Sequence, residues 1–351
     1  MEDQYLVLRV IRCLLAMDNS KGQMKGIRGD TQVIGVEWLV EMIRPVEKWN
    51  EDDILTAIDC VLYNCLDNDI SLDKSCVTRG FYPIANLLEQ SCISNSRNII
   101  SGDYLECRAT VFIPQGAAIT TSRVDPILDV FSRRKQLREN HHIDCFCERC
   151  CSTTELGALT SALCCLACEN ILGFFLPPHP AESVPHYTCN ICEYMIPETM
   201  ASKATQELIP IVQEFSMFDI DEQADFLDNL LTKFHDNHSL VLQMKLHIVK
   251  KLGRDEQGNI KKTEAKVVEK KVQYCKEVLE VLDKVEPGLT IRRGLLLYEL
   301  GETFLARGGI NNTQQCQDYL AEAAECFENE NDFQWRQLMR KIKLLIHHNT
   351  M

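Results

Sequence analysis

Two close cysteine pairs, Cys165-x-x-Cys168 and Cys189-x-x-Cys192, are separated by a loop of ribbon length. Each pair can take two corners of a tetrahedron while the loop closes the site, as a structural Zn²⁺ requires. Just upstream, Cys145-x-Cys147-x-x-Cys150 supplies three more ligands and leaves one corner to be filled from elsewhere. Cys151 adjoins Cys150 and makes a poor fourth corner without backbone strain, whereas Cys164 adjoins Cys165 and could replace it. Buried apolar cysteines are common in cores, but nine of the chain's 18 cysteines lie between Cys145 and Cys192. That clustering at ligand spacing favours about two structural zinc ions. A site of four thiolates has no open position for water, so neither zinc is expected to be catalytic.

The compartment decides whether cysteines pair with each other or with metal. Glu2 and Asp3 stand where a signal peptide carries basic residues, and Arg9 and Arg12 interrupt the apolar run that follows. This opening stretch reads instead as an amphipathic helix, with Leu6, Val10, Cys13 and Met17 along one side. With no apolar run long enough to span a bilayer, the expected location is the cytoplasm, the nucleus or both, with no membrane partner. Clustered cysteines there hold metal. A net charge of −14 opposes a nucleic-acid partner, which normally meets a basic face.

The 351 residues divide by texture into four segments. Residues 1–56 alternate short helical patterns with a glycine-bearing loop, Gly22 to Gly29. In 57–144, the β-rich runs 104–112 and 118–122 flank Pro114-Gln115-Gly116, an expected hairpin, and 133–140 forms a short charged helix. Residues 145–200 hold the cysteine clusters. From 201 to 351 helical periodicity continues over 206–218, 221–234, 240–252, 265–285, 292–306, 316–327 and 335–347, with breaks such as Gly253 and Pro287-Gly288. Tyr298-Glu299-Leu300-Gly301 followed by AEAAECF at 321–327 resembles a degenerate tetratricopeptide unit, without a clean repeat period.

A set of ordered motifs carries a wider resemblance. Phe81-Tyr82-Pro83-Ile84-Ala85-Asn86-Leu87-Leu88, then Ser91-Cys92-x-x-Asn95, Gly116 with Ile119-Thr120-Thr121-Ser122, Arg133-Arg134 and the CxCxxC follow one another. Together they resemble the C-terminal half of a SET domain with its post-SET zinc site, in the SMYD branch of lysine methyltransferases. The ribbon and helical tail are similar to the arthropod SMYD-like subgroup. The implied fold is α+β: residues 1–56 as a helical insert, a partial β-rich SET domain over 57–144, the post-SET site and small zinc ribbon over 145–200, and an all-α, tetratricopeptide-like domain to 351. The resemblance also makes Cys92 the fourth ligand beside Cys145, Cys147 and Cys150.

Its catalytic positions are altered. SET enzymes align a lysine amine with the methyl group of S-adenosylmethionine, which depends on positioned polar groups. The family's Asn-His at the cofactor loop reads Glu89-Gln90 here, and its Gly-Glu-Glu-Leu reads Gly116-Ala117-Ala118-Ile119. Arg123 replaces the channel tyrosine, while His141 and Ile143 replace a tyrosine and an adenine-stacking aromatic. The Gly22–Gly29 loop lacks the spacing of the family's Gly-x-Gly cofactor loop, and no MYND finger precedes it, so the sequence is either truncated or lacks the first half of the SET sheet. Five altered positions imply a chain with no catalytic or cofactor-binding residues, acting through protein contacts of its helical domain, in transcriptional regulation by family analogy. The alternative is an active S-adenosylmethionine-dependent protein-lysine methyltransferase, with histone or other lysine substrates, whose missing half lies upstream. Histidines 141 and 142 read as exposed turn residues rather than ligands.

Overall fold

The first helix, α1 (Glu2–Asn19), turns Val10, Cys13, Leu14 and Met17 inward and leaves Leu8 and Leu15 exposed. This is the apolar stripe its spacing dictates. The computed structural model describes residues 2–19, 36–46, 48–68, 78–82, 84–101, 104–168, 172–215, 218–254, 265–307, 310–328, 330 and 333–348. The Gly22–Gly29 loop lies outside them.

Contacts divide the chain into two units. The first comprises Met1–Gln90, Asn98–Arg108 and Arg134–Asp144. Its core joins α1 to α2 (Glu37–Ile43) and α3 (Glu51–Tyr63) through Leu39, Ile43, Ile54 and Ile58. Asn50 caps α3 by accepting the Asp53 N–H at 2.8 Å. The helix runs unbroken through Thr56, so the expected segment boundary there falls inside an element. Strand β1 (Cys65–Asn68) pairs antiparallel with β2 (Thr78–Phe81), Cys65 opposite Phe81, and a short β3 spans Glu89–Gln90.

The expected hairpin is replaced by another. Strand β5 (Tyr104–Ala109) pairs with β4 (Ser96–Ser101) upstream, and the later run contributes only the two-residue β6 (Thr120–Thr121). Gly102-Asp103, a two-residue turn signal between β-rich runs, is the stronger hairpin cue in the sequence. The Pro114–Gly116 turn does form: Ala117 N–H donates to Pro114 O at 3.1 Å, and Gly116 sits at φ +86°. Helix α4 (Val130–His141) starts earlier than expected because the Asp129 carboxylate accepts the Ser132 N–H at 3.0 Å.

The second unit comprises Ser91–Arg97, Ala109–Arg133 and Cys145–Met351. After the short α5 (Glu148–Cys151), strands β7 (Leu163–Cys164), β8 (Phe174–Leu176), β9 (His186–Cys189) and β10 (Met195–Pro197) form an antiparallel sheet ordered β10-β9-β8-β7. Helices α6 (Glu198–Gln206), α7 (Ile209–Glu214), α8 (Ile220–Leu231), α9 (Ser239–Lys251), α10 (Ala265–Val285), α11 (Ile291–Arg307), α12 (Ile310–Phe327) and α13 (Phe333–His348) follow. From α8 onward each helix packs on the next. The expected helix over 206–218 is interrupted, since Pro210 fits the first turn of a new helix and not the interior of an old one.

Sheet and helices are not separate bodies. Phe175 and Tyr187 of the ribbon share one core with Leu227, Phe234, Leu240 and Leu297. Cys164 N–H donates to Lys233 O at 2.8 Å, and His235 N–H to Ala162 O at 3.1 Å. Helix α6 runs across the expected seam at residues 200 and 201. Among the described residues, no helix is long and apolar enough to cross a membrane.

Candidate metal centres

A web of backbone and amide bonds fixes Cys92. Ser91 N–H donates to Thr121 O at 3.0 Å. Asn95 grips the same strand from both ends of its amide, donating from Nδ2 to Ala118 O and accepting the Thr120 N–H at Oδ1, each at 2.8 Å. Ser96 Oγ donates to Thr120 O at 2.8 Å. Thus the Ser-Cys-x-x-Asn motif anchors the segment that presents Cys92. Opposite it, Cys147 and Cys150 flank one turn of α5, closed by a Cys151 N–H bond to Cys147 O at 3.1 Å.

The sulfurs of Cys92, Cys145, Cys147 and Cys150 all lie within 4.8 Å of one another. Cys92 Sγ stands 3.9 Å from Cys145 Sγ and 3.6 Å from Cys150 Sγ. Four Zn–S bonds of about 2.3 Å in a tetrahedron put sulfurs ~3.8 Å apart, so the cluster has the dimensions zinc needs. Cys151 points away, its Sγ 3.4 Å from Phe146 O. Packed this closely, the thiols titrate as a linked set, each thiolate formed holding back the next. A hydrogen bond from Cys145 holds the Cys92 thiol down to about 7, and another from Cys145 lowers Cys147. Cys145 is raised by its bond to Cys147, and Cys150 by its bond to Cys145.

The ribbon gathers Cys165, Cys189 and Cys192 in the same way. Cys165 Sγ is 3.7 Å from Cys192 Sγ, and the Ile191 N–H points at Cys189 Sγ at 3.4 Å. Burial pushes the Cys189 thiol up, but the Cys192 and Ile191 amides outweigh it and leave it at about 7. Cys168 lies outside this group of three and packs against the helical core. Cys164 turns toward Leu231 O at 3.9 Å, which leaves Cys165 as the ribbon's candidate ligand.

Three residues beside the first cluster were not singled out as site residues from sequence. Arg133, Arg149 and Glu155 are buried with side-chain exposures of 0%, 0% and 1%. Glu155 Oε1 accepts from Arg133 at 2.9 Å, from Arg149 at 3.4 Å and from Thr160 Oγ1 at 2.7 Å. The Arg133-Arg134 and Cys-Glu-Arg-Cys strings are the only sequence signals, and they do not reveal that both arginines are buried.

His141 Nδ1 lies 2.8 Å from Tyr63 O, and the exposed His142 meets the Tyr63 ring edge-on at 3.8 Å between centroids. Glu89 is exposed and Gln90 half-buried. Burial lowers the pKa of the half-buried Arg123.

No protein-family model matches the chain. It is 26% identical over 227 residues to the SET domain-containing protein SmydA-8, isoform B, of Drosophila melanogaster, covering 64% of this chain and 50% of that protein. It is 37% identical over 71 residues to the human histone-lysine N-methyltransferase SMYD3, covering 20% of this chain and 17% of that one. The histone-lysine N-methyltransferase ASHR1 of Arabidopsis thaliana is 22% identical over 235 residues, covering 64% of this chain and 46% of that protein. The chain thus spans about half the length, or less, of these relatives.

Proposed function

From the chain's distant homology to SMYD-type SET-domain lysine methyltransferases, we propose that it is a zinc-organised protein that acts through protein contacts rather than methyl transfer. The observation carrying the zinc reading is the spacing of the Cys92, Cys145, Cys147 and Cys150 sulfurs, which suits one tetrahedral ion. Cys165, Cys189 and Cys192 would hold a second, and Cys168, which stands outside their group in this structure, would have to turn in to supply the fourth thiolate. When bound, each ion supplies charge and geometry that tie distant segments together, with no open position for a reacting water. Cytosolic or nuclear residence follows from the same thiol chemistry.

The non-catalytic reading rests on substituted positions. Arg123 brings a fixed positive charge where the resemblance places a tyrosine hydroxyl, and a cation opposes an incoming lysine. Glu89 and Gln90 replace the Asn-His pair, and the carboxylate of Glu89 opposes the carboxylate of S-adenosylmethionine. The helical region through α13 offers the surface for partners, and transcriptional regulation is the role suggested by analogy. The test is calorimetric titration with S-adenosylmethionine, then radiolabelled methyl transfer to mixed protein substrates. No binding at micromolar cofactor and no transfer are expected. A second reading, an active protein-lysine methyltransferase, is favoured by the likeness to SMYD3 and ASHR1. Transfer abolished by substitutions in this chain would establish it.

A further inference from the structure

Two arginines and one glutamate are sealed in the protein against the four-cysteine cluster. Arg149 Nη1 donates to the backbone oxygen of Cys92 itself at 3.2 Å and to Pro126 O at 2.6 Å. Its Nη2 donates to Thr160 Oγ1 at 2.8 Å. Arg133 Nη2 points at Cys150 Sγ at 3.9 Å, while its Nη1 bonds Leu128 O and Glu155. One carboxylate therefore serves two guanidiniums, leaving one buried positive charge in excess. Asp129, also buried nearby, turns its Oδ1 to the Ser132 N–H at 3.0 Å, and burial pushes its carboxyl above the ordinary range. An uncompensated buried cation is costly, and its natural counterpart here is an anionic group at the cysteines. Four thiolates around one Zn²⁺ carry a net charge of about −2.

The loop that supplies Glu155 is built at some cost. Glu155, Leu156 and Leu159 all sit in the left-handed region, at φ +52°, +58° and +58°, with Gly157 at +80° between them. Such a conformation is unfavourable for a non-glycine residue and persists where surrounding structure imposes it. Here the Leu156 N–H bond to Ser152 Oγ at 3.0 Å and the Gly157 N–H bond to Thr154 O at 3.0 Å hold the turn, and it delivers the Glu155 carboxylate between the two arginines.

We propose that Arg133 and Arg149, clamped by Glu155, are positioning residues of the Cys92–Cys145–Cys147–Cys150 centre, offsetting its negative charge and fixing Cys92 and Cys150 as ligands. The inference rests on the zinc reading above. Groups that orient and compensate metal ligands typically change metal affinity by about 10–100-fold.

The test uses the full chain and follows zinc transfer to a chromophoric chelator. The zinc belonging to this centre is identified as the one lost in Cys92→Ser. Arg149→Gln should release it at least about tenfold faster, and Arg149→Lys, which keeps the charge, should stay within about threefold of wild type. Replacing the triad by apolar residues (Arg133→Met, Glu155→Leu, Arg149→Met) separates charge from packing, since buried ion triads can often be exchanged for apolar residues without loss of stability. Fast release from a folded triple variant supports the proposal, and wild-type release from it overturns the proposal. Should both variants fail to fold, Thr160→Val removes one hydroxyl that holds Arg149 and Glu155 while changing no charge. Several-fold faster release is expected there, and an unchanged rate refutes the idea. Arg254→Gln, which breaks a partly buried ion network with Glu299 and Glu302, should leave release from this centre unaltered; equal acceleration there would reduce the effect to general destabilisation and defeat the inference. If wild-type protein holds no zinc that Cys92→Ser removes, the zinc reading itself falls. If it does, and the arginine variants match wild type, only the present inference falls.

Discussion

At the scale of single residues, the decisive placements are those of sulfur atoms separated by one position in sequence. Cys150 enters the first cluster while Cys151 faces the Phe146 carbonyl, and Cys165 enters the second while Cys164 faces Leu231. We expect Cys92→Ser and Cys150→Ser each to lose one zinc per chain by metal analysis, with Cys151→Ser and Cys164→Ser keeping full content. Loss from Cys151→Ser with retention by Cys92→Ser would put the fourth ligand elsewhere. Spacing made Cys145, Cys147, Cys150, Cys165, Cys189 and Cys192 legible, because tetrahedral coordination restricts which cysteines can share an ion. Cys92 came from the resemblance, and Cys168, at ligand spacing, lies outside the second group. Spacing could not choose within Cys150-Cys151 or Cys164-Cys165, since adjacent residues on a turn differ only in which way the local backbone aims them. Arg133, Arg149 and Glu155 stayed illegible for a related reason: charged residues read as surface unless their partners are known, and Glu155 reaches its partners only through a left-handed turn with no glycine at its first position.

Elements were legible where periodicity was long and ambiguous where short pairings compete. Helix α10 falls where its pattern puts it, whereas α7 was hidden because Pro210 lies inside a continuous apolar pattern. Strand partners around β5 were ambiguous because a turn signal stands on either side of it, and β5 pairs with β4. The packing of α11 on α12 gives a sharp test. A Cβ at Gly301 would lie 2.6 Å from Leu320 Cδ2, and one at Gly294 would lie 2.7 Å from Cys326 Cβ. Gly301→Ala should therefore destabilise the protein by about 1–3 kcal/mol in chemical denaturation, despite alanine's better helix propensity. A stabilised variant would show that these helices can move apart freely. At the start of α9, His238 is fully buried and its Nδ1 accepts the Leu240 N–H at 3.2 Å. Burial, opposed by Glu155, lowers its pKa from 6.5 to about 3. The folded state thus holds the neutral ring, while the unfolded chain gains a proton below 6.5. Stability contributed by this group is complete above that pH and falls as acid is added, by on the order of 4 kcal/mol towards pH 3. His238→Asn keeps a capping side chain and should flatten this part of the profile between pH 6.5 and 4, measured by denaturant midpoints.

Within the second unit, the cysteine-bearing ribbon and the helices bury one core, where a helical domain over 201–351 was expected. Phe175 and Tyr187 lie among helical side chains, and Leu163 forms a bridge with Phe234, so the sheet extends onto the segment between α8 and α9. Gly288, at φ +85°, is held against Thr110, whose carbonyl also accepts the Leu289 N–H at 2.9 Å. This ties the loop before α11 to the segment that follows β5. A fragment beginning near Ala204 would lose the apolar cover supplied by the ribbon, while one beginning at Cys145 would keep it. The longer fragment should melt cooperatively, and the shorter should show a broad transition or none. Metal removal carries the same logic further. Closing the ribbon fixes β9 and the turn bearing Cys165, and both press on the helical core, so stripping zinc should loosen helices that contain no ligand. Structural zinc contributes several kcal/mol to small sites, and about 2–4 °C of melting temperature accompanies each kcal/mol in a unit of this size. A strong chelator should therefore lower the helical transition, followed by circular dichroism at 222 nm, by about 10 °C or more, with one transition rather than two. A helical signal that melts at the same temperature with and without chelator would mean that the shared core does not couple the ribbon to the helices.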